Sequence, residues 1–313
     1  MDSFSDSGEL YVLKNQFYTN QHQKVLSHSL ESYSKDNQLT VLTYQIRSTI
    51  ALGKDASNII ESGKTRFEGN EPLFQLLSAW DDLKSFGTDD STYFDDLKRG
   101  ENELQTVLSA LYFVKFRKDI DQAITFLTEY IDNSSYLKFD ELEPFLVLVQ
   151  LYLIKGNFKE ANKILLNFKN FPDAARDGII YQVLESWLLS LRGESDNINN
   201  AYYFYDELLS SDFDNDPQGK FKILSVLFVL TLQLRHYPEA QELLAQISEL
   251  SQGPDATLIA NRITFDYLAN GGSHVDELLG ELKQIDQEHA MLNDYSEKNS
   301  KFDEVVAKYN VSA

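Results

Sequence analysis

Four alanines set the frame of this chain. Ala123, Ala161, Ala201 and Ala240 each follow a turn-forming stretch, at successive spacings of 38, 40 and 39 residues. Around the second, the chain reads LYLIKGNFKEANKIL. An apolar run ends in Lys155-Gly156-Asn157, and Phe158, Ala161 and Ile164 then recur at helical spacing. Two helix-favouring runs broken by a glycine predict a helical hairpin, in which the small residue lets the helices approach closely. An apolar or aromatic residue stands three before each alanine: Ile120, Phe158, Ile198 and Tyr237. These are expected to pack between the paired helices. One hairpin cannot bury both of its faces, so a recurring hairpin implies a stack in which each unit covers the next.

The pattern resembles the tetratricopeptide repeat, whose ideal unit is about 34 residues. Each unit here is longer, with a period near 39, and the long polar turn 193–200 shows where residues are added. Pro is scarce (6), Gly modest (14), and Leu, Phe and Tyr dominate an apolar fraction of 42%. This composition favours helices over a sandwich or barrel. The expected fold is all-α, a right-handed solenoid of helical hairpins forming one domain over 1–313. Its parts are divergent hairpins in 1–100, clearer repeats in 101–285 and a C-terminal cap in 286–313. Helices are expected over 10–17, 23–33, 39–52, 56–63, 72–86, 257–269, 275–285 and 288–309. Phe302, Val305 and Val306 would be the covering face of the last. The acidic, turn-rich stretch 87–96 is expected to be a flexible loop.

Twenty-eight basic against 49 acidic residues leave a net charge of −21. Such a surface repels phosphate, so nucleic acid and anionic lipid are poor partners and a basic protein a better one. The N-terminus, MDSFSDSGEL, lacks the basic-then-apolar order of a signal peptide. The longest apolar run, 223–234, is shorter than the roughly 20 residues a membrane span requires. A cytoplasmic protein without direct membrane insertion is expected.

No motif supports catalysis, so no catalytic, cofactor-binding or metal-binding residue is assigned, and no enzyme activity is expected. Ser62-Gly63-Lys64-Thr65 resembles the end of a phosphate loop, but Asn58 stands where the first glycine belongs. His22, His28, His236, His274 and His289 have no metal-binding spacing. With no Cys there is neither a thiol nucleophile nor a disulfide. Acidic pairs such as Asp81-Asp82 suit a glycosidase in principle, yet 49 acidic residues make adjacent pairs commonplace.

The remaining role is to bind another chain. In tetratricopeptide stacks the first helix of each pair lines the concave face. Phased from the turns, the inward positions are Phe17 and Tyr18, Tyr112 and Phe116, Gln150 and Ile154, Trp187 and Leu191, and Val229 and Gln233. The set is apolar and aromatic. It lacks the Lys and Arg with which tetratricopeptide co-chaperones grip a terminal carboxylate, and suits an apolar or extended segment. Tyr202, Tyr203, Phe204 and Tyr205 spread over about 300° of a helix, so at least one ring must face outward.

Several segments resemble one family, the epsilon subunit of coatomer, the COPI vesicle coat. They are LSLRGESDNINNAYYFYDELL from Leu189, YPEAQELL from Tyr237, DATLIAN from Asp255, and the terminal helix with Phe302-Asp303-Glu304-Val305 and Lys308-Tyr309. The richness in Asn, Ser and Asp resembles budding-yeast members. The resemblance implies a non-catalytic, cofactor-free coat subunit whose repeats wrap the C-terminal domain of the coatomer alpha subunit. The rest of coatomer would then be contacted indirectly. It implies a cytoplasmic protein, peripheral on Golgi membranes and COPI vesicles, serving Golgi-to-ER and intra-Golgi transport. A tetratricopeptide-like scaffold of another cytosolic complex is the alternative.

Overall fold

The computed structural model describes residues 7–88, 92–133, 142–167, 173–211, 213 and 216–309. Among these residues the regular structure is helical throughout, and most helices pair into hairpins, giving an all-α helical-hairpin solenoid. The chain divides into two compact units, Met1–Gly219 and Lys220–Ala313. No linker composition marks the division in the sequence, which reads as one domain.

Unit 1 contains α1 (Ser7–Tyr18), α2 (His22–Ser27), α3 (Lys35–Ala51), α4 (Ser57–Arg66), α5 (Glu71–Phe86), α6 (Tyr93–Asp96) and α7 (Glu103–Lys115). It continues with α8 (Ile120–Asn133), α9 (Glu143–Ile154), α10 (Phe158–Asn167), α11 (Asp173–Arg176), α12 (Ile179–Arg192) and α13 (Ser195–Leu209). The division falls within α14 (Pro217–Gln233), and unit 2 goes on with α15 (Tyr237–Leu250), α16 (Ala256–Asn270), α17 (Val275–Ile285) and α18 (Ala290–Tyr309).

The first helix of every hairpin ends in the same way. Just beyond α1, α3, α5, α7, α9, α12, α14 and α16 stands a left-handed residue: Asn20, Gly53, Gly87, Lys118, Gly156, Gly193, Arg235 and Gly271, with φ between 57° and 77°. In four of these turns the next amide reaches the carbonyl five residues back. Gln21 N–H donates to the Gln16 carbonyl (2.8 Å), Lys54 to Thr49 (3.1 Å), Asn157 to Tyr152 (2.8 Å) and His236 to Thr231 (3.1 Å). This satisfies carbonyls that a helix end leaves bare. Glycine adopts the conformation freely, whereas a Cβ makes it costly for Lys118 and Arg235. These eight turn residues lie 33, 34, 31, 38, 37, 42 and 36 apart in succession. The period near 39 therefore belongs to the later repeats, and the first hundred residues keep to one near 34.

Ala123, Ala161, Ala201 and Ala240 are all at most 1% exposed, and Ala56, at the N-cap of α4 just after the Gly53 turn, is fully buried too. Ile198 is buried and Ile120 and Tyr237 partly so, but Phe158 is 55% exposed and does not seal its hairpin. Neighbouring hairpins share core: Ile46, Phe74, Leu77, Trp80, Phe94, Leu108, Phe113, Leu127 and Leu148 form one cluster across α3 to α9. Phe145, Val149, Tyr181, Leu184 and Leu188 carry packing on to α12. Each such side chain, fully buried, contributes about 1.5–3 kcal/mol. Unit 2 has its own core of Ile259, Ile263, Val275, Leu278, Leu282 and Leu292. There Phe228 meets Phe265 edge-on at 5.8 Å.

Two sequence motifs resolve into packing. Ser62-Gly63-Lys64-Thr65 lies within α4, where a Cβ on Gly63 would fall 2.6 Å from a Phe74 ring carbon and 2.9 Å from Leu42 Cδ2. The glycine serves a close helix crossing. Of the acidic stretch 87–96, residues 89–91 lie outside the described residues. Beyond them Tyr93–Asp96 form a helical turn that buries Phe94 against Trp80 and Tyr112.

Candidate partner-binding face

The left-handed residues give a common register for the ten positions singled out from the sequence. Tyr112, Gln150, Trp187 and Val229 each stand six before the turn residue. Tyr18, Phe116, Ile154, Leu191 and Gln233 stand two before it, and Phe17 three before. Positions six and two before the turn are four apart, so in the four later hairpins each pair shares one helix face, whereas Phe17 and Tyr18 are adjacent. What covers that face differs from hairpin to hairpin.

In the first hairpin the chain covers it with its own side chains. Phe17 packs edge-on against Tyr18, His22 and Tyr44, at 5.1, 5.5 and 4.9 Å between ring centres. The Arg47 guanidinium lies 4.5 Å over the Phe17 ring and forms a two-pronged ion pair with Glu143 at the start of α9, one prong at 3.0 Å. The Glu143 N–H in turn donates to Glu103 Oε1 (3.1 Å). Burial works against the charged guanidinium, and the Glu143 carboxylate overrides it, so Arg47 is held above its ordinary pKa. Burial, reinforced by Glu143, pushes the Tyr18 hydroxyl up as well. Arg47 therefore stays charged and the Tyr18 hydroxyl stays protonated at any physiological pH.

The Tyr112 pair is likewise engaged. Tyr112 is 7% exposed and stacks on Phe94 (5.3 Å) and Phe116 (6.0 Å). Its hydroxyl donates to Asp95 (2.6 Å), and Trp80 meets Phe116 edge-on at 6.3 Å. Asp95 also receives Arg117. The hydrogen bond from Tyr112 and the Arg117 pair hold the Asp95 carboxyl below the usual carboxylate range.

The next two pairs are open. Gln150 is exposed, Ile154 is 60% exposed and Leu191 44%. Trp187 is half-buried, its indole N–H donating to the Tyr205 hydroxyl (3.0 Å), which also lies 3.3 Å from Ser186 Oγ. That bond straps α12 to α13. Because α9 and α12 pack together, Gln150, Ile154, Trp187 and Leu191 occupy equivalent places on neighbouring helices. Phe158, just past the turn from Ile154, adds an exposed ring. In unit 2, Val229 is partly buried and Gln233 exposed. Of the aromatic run in α13, Tyr205 is buried and Tyr203 is 66% exposed.

Sequence reasoning did not single out α18 as an exposed face. Its N-terminal part packs, Met291 and Leu292 in the core of unit 2 and Tyr295 beside Tyr267. Phe302, Val305 and Val306, read from the sequence as the covering face, are exposed. Their helical spacing was visible, but nothing in the sequence says which apolar stripes lack a neighbour.

No helix is long and apolar enough to cross a membrane among the described residues. Among them, too, no group of three or more His, Asp or Glu side chains gathers as metal ligands. His22 contacts Ser48 Oγ at 3.2 Å, and His28 sits between Gln16 (2.7 Å) and the Tyr33 hydroxyl (2.6 Å), so both serve packing.

Hairpins in this register, with an open apolar face on α9 and α12, define a helical-hairpin repeat protein. The family model described as "Coatomer epsilon subunit" matches residues 6–310, and the chain belongs to that family. It is 26% identical over 320 residues to "Coatomer subunit epsilon" of Saccharomyces cerevisiae (strain ATCC 204508 / S288c), covering 97% of this chain and 99% of the relative. It is 22% identical over 206 residues to "Probable coatomer subunit epsilon" of Schizosaccharomyces pombe (strain 972 / ATCC 24843), covering 66% and 64%.

Proposed function

We propose that this chain is a non-catalytic structural subunit of the COPI coat that holds the C-terminal domain of the coatomer alpha subunit. By stabilising that subunit it supports Golgi-to-ER retrograde and intra-Golgi transport, as a cytoplasmic protein peripheral on Golgi membranes. Membership of the epsilon family over 6–310 supports the coat role. The observation that carries the binding role is the exposure of Ile154 and Leu191 at equivalent places on packed neighbouring helices. Bulky apolar side chains left open in register mark a surface that another chain covers. The contact residues are Gln150, Ile154, Trp187 and Leu191 in unit 1 and Val229 and Gln233 in unit 2. Phe17, Tyr18, Tyr112 and Phe116, engaged within the chain, shape the helices that present them.

The test is co-expression with the C-terminal domain of a coatomer alpha subunit, followed by size-exclusion chromatography. Co-elution as a stoichiometric complex is expected. Separate elution, with another cytosolic complex recovered from cells, would favour the alternative scaffold.

A further inference from the structure

The first hairpin of unit 1, α1 and α2, is attached in two places by two kinds of contact. Toward α3 the attachment is apolar: Leu10, Leu13 and Val25 share a core with Val41. Elsewhere α1 packs against α12, far beyond the next hairpin in the stack. There the hairpin also meets the last stretch of unit 1, where α14 begins. Asp216, 3% exposed, accepts the Gln23 N–H at Oδ1 (2.7 Å) and the Lys24 N–H at Oδ2 (3.4 Å), across 193 and 192 residues of chain. A Cβ on Gly219 would fall 2.8 Å from the Asn20 carbonyl oxygen and 3.1 Å from that of Thr19. Glycine is a poor residue inside a helix, and here it lets the turn of the first hairpin lie against residue 219. A buried carboxylate is costly to leave without donors. Asp216 therefore has two arrangements: closed on these amides, or opened to water.

The first two hairpins touch both helices of the candidate partner-binding face. Arg47 of α3 is paired with Glu143 at the start of α9, and α1 packs on α12. Ile154 ends α9, and Trp187 and Leu191 stand on α12. A partner can engage these side chains together only while the two helices keep one spacing. The first hairpin bears on that spacing through α12, and Asp216 and Gly219 hold the hairpin in place. A surface set before the partner arrives binds more tightly than one that must be ordered on binding. Where only a fraction of the chain is competent, the apparent affinity falls by that fraction.

We infer that the first hairpin is a brace for the partner-binding face, and that Asp216 and Gly219 form the latch that keeps the brace closed. Asp216 is a positioning residue: its carboxylate holds the hairpin, the hairpin holds α12, and α12 presents Trp187 and Leu191. The partner in turn favours the closed latch, because coupling between two sites is reciprocal. The inference deepens the proposed function and rests on it.

The test uses the full chain, with the C-terminal domain of the coatomer alpha subunit as analyte, and reads binding rates and amide hydrogen exchange. In Asp216→Ala, and separately in Gly219→Ala, association should slow by about three- to tenfold while dissociation stays within about twofold of wild type. Exchange at the Gln23 and Lys24 amides of the free variants should quicken, with the amides of the core residues Val107 and Leu148 unchanged. In the wild-type chain, binding should slow exchange at Gln23 and Lys24 by a similar factor. This last measurement needs no variant, and decides the matter where a variant fails to fold. Wild-type rates in both variants, or exchange at those two amides unmoved by the bound partner, would overturn the inference and leave the proposed function standing. Faster dissociation at unchanged association would overturn it too, making Asp216 and Gly219 a retaining contact rather than a brace. Failure of the wild-type chain to bind at all would remove both readings.

Discussion

The first hairpin of unit 1 and the last helix of unit 2 both carry aromatic rings at helical spacing, and they meet opposite fates. Phe17 and Tyr44, against which Tyr18 packs, are covered by the chain's own Arg47, whose guanidinium is fixed by Glu143, 96 residues further on. Tyr295, Phe302 and Tyr309 stay open to solvent. The difference is one of neighbours, not of sequence pattern. A stripe of apolar residues says that a helix face will be covered, and only the arrangement of the other helices says whether the chain itself does so. Where it does, the face is structure. Where it does not, the face is available to another molecule.

Removing the clasp at the closed end is the harshest test of this contrast. Arg47→Ala leaves Glu143 buried without its partner and should cost about 3–5 kcal/mol in urea unfolding. Phe302→Ala at the open end should stay within about 0.5 kcal/mol. Equal losses at the two sites would break the distinction between covered and open faces. A next, smaller effect is expected at Gly63. Alanine is the better helix former by about 1 kcal/mol, yet its methyl would collide with Phe74 and Leu42. Gly63→Ala should therefore destabilise by about 1–3 kcal/mol, as overpacking does.

The turns offer a gain rather than a loss. Arg235 has φ 62°, a conformation that costs a residue with a Cβ roughly 1–2 kcal/mol. Arg235→Gly relieves that strain, offset in part by unfolded-state entropy. A rise in melting temperature equivalent to at most about 1 kcal/mol is expected, and Lys118→Gly should behave alike. A fall at both sites would show that their side chains do more than occupy the turn.

The smallest effect concerns Asp81. One carboxylate oxygen accepts the Ala56 N–H at 3.3 Å, and the other is buried without a partner. Burial raises its pKa above the ordinary carboxylate value. The folded state therefore binds this proton more tightly than the unfolded chain does. The penalty is full above the folded-state pKa and disappears as pH falls below the unfolded carboxylate range. Asp81→Asn should be slightly more stable than wild type at pH 7, and the gap should close on acidification. Urea midpoints of both proteins at neutral and acid pH would show it, and a gap that widens toward acid would contradict the sign.

Much of the fold was legible because alanine spacing reports helix approach directly. Ala123, Ala161, Ala201 and Ala240 are buried where the hairpin requires a small residue. At the turns after α1 and α7, Asn20 and Lys118 do the work of the turn glycine; the first was read as a turn from the sequence, and the left-handed role of the second was not. The clasp was out of reach, since nothing local ties Arg47 to Glu143. Phe94 was a missed signal: an aromatic side chain in an acidic stretch is an anchor, and Tyr112 and Trp80 receive it. For the candidate site, the register of the ten positions was readable from the turns. Their exposure was not, because it depends on which neighbour lies over each pair.

The central claim is that Ile154 and Leu191 are open because a partner covers them. The most direct measurement is of one variant on two axes: Ile154→Asp with Leu191→Asp, assayed for thermal stability and for affinity to the C-terminal domain of the coatomer alpha subunit. The account predicts a melting temperature close to wild type and an affinity at least tenfold weaker. Unchanged affinity with a lowered melting temperature would show that these side chains hold the fold, and would contradict it.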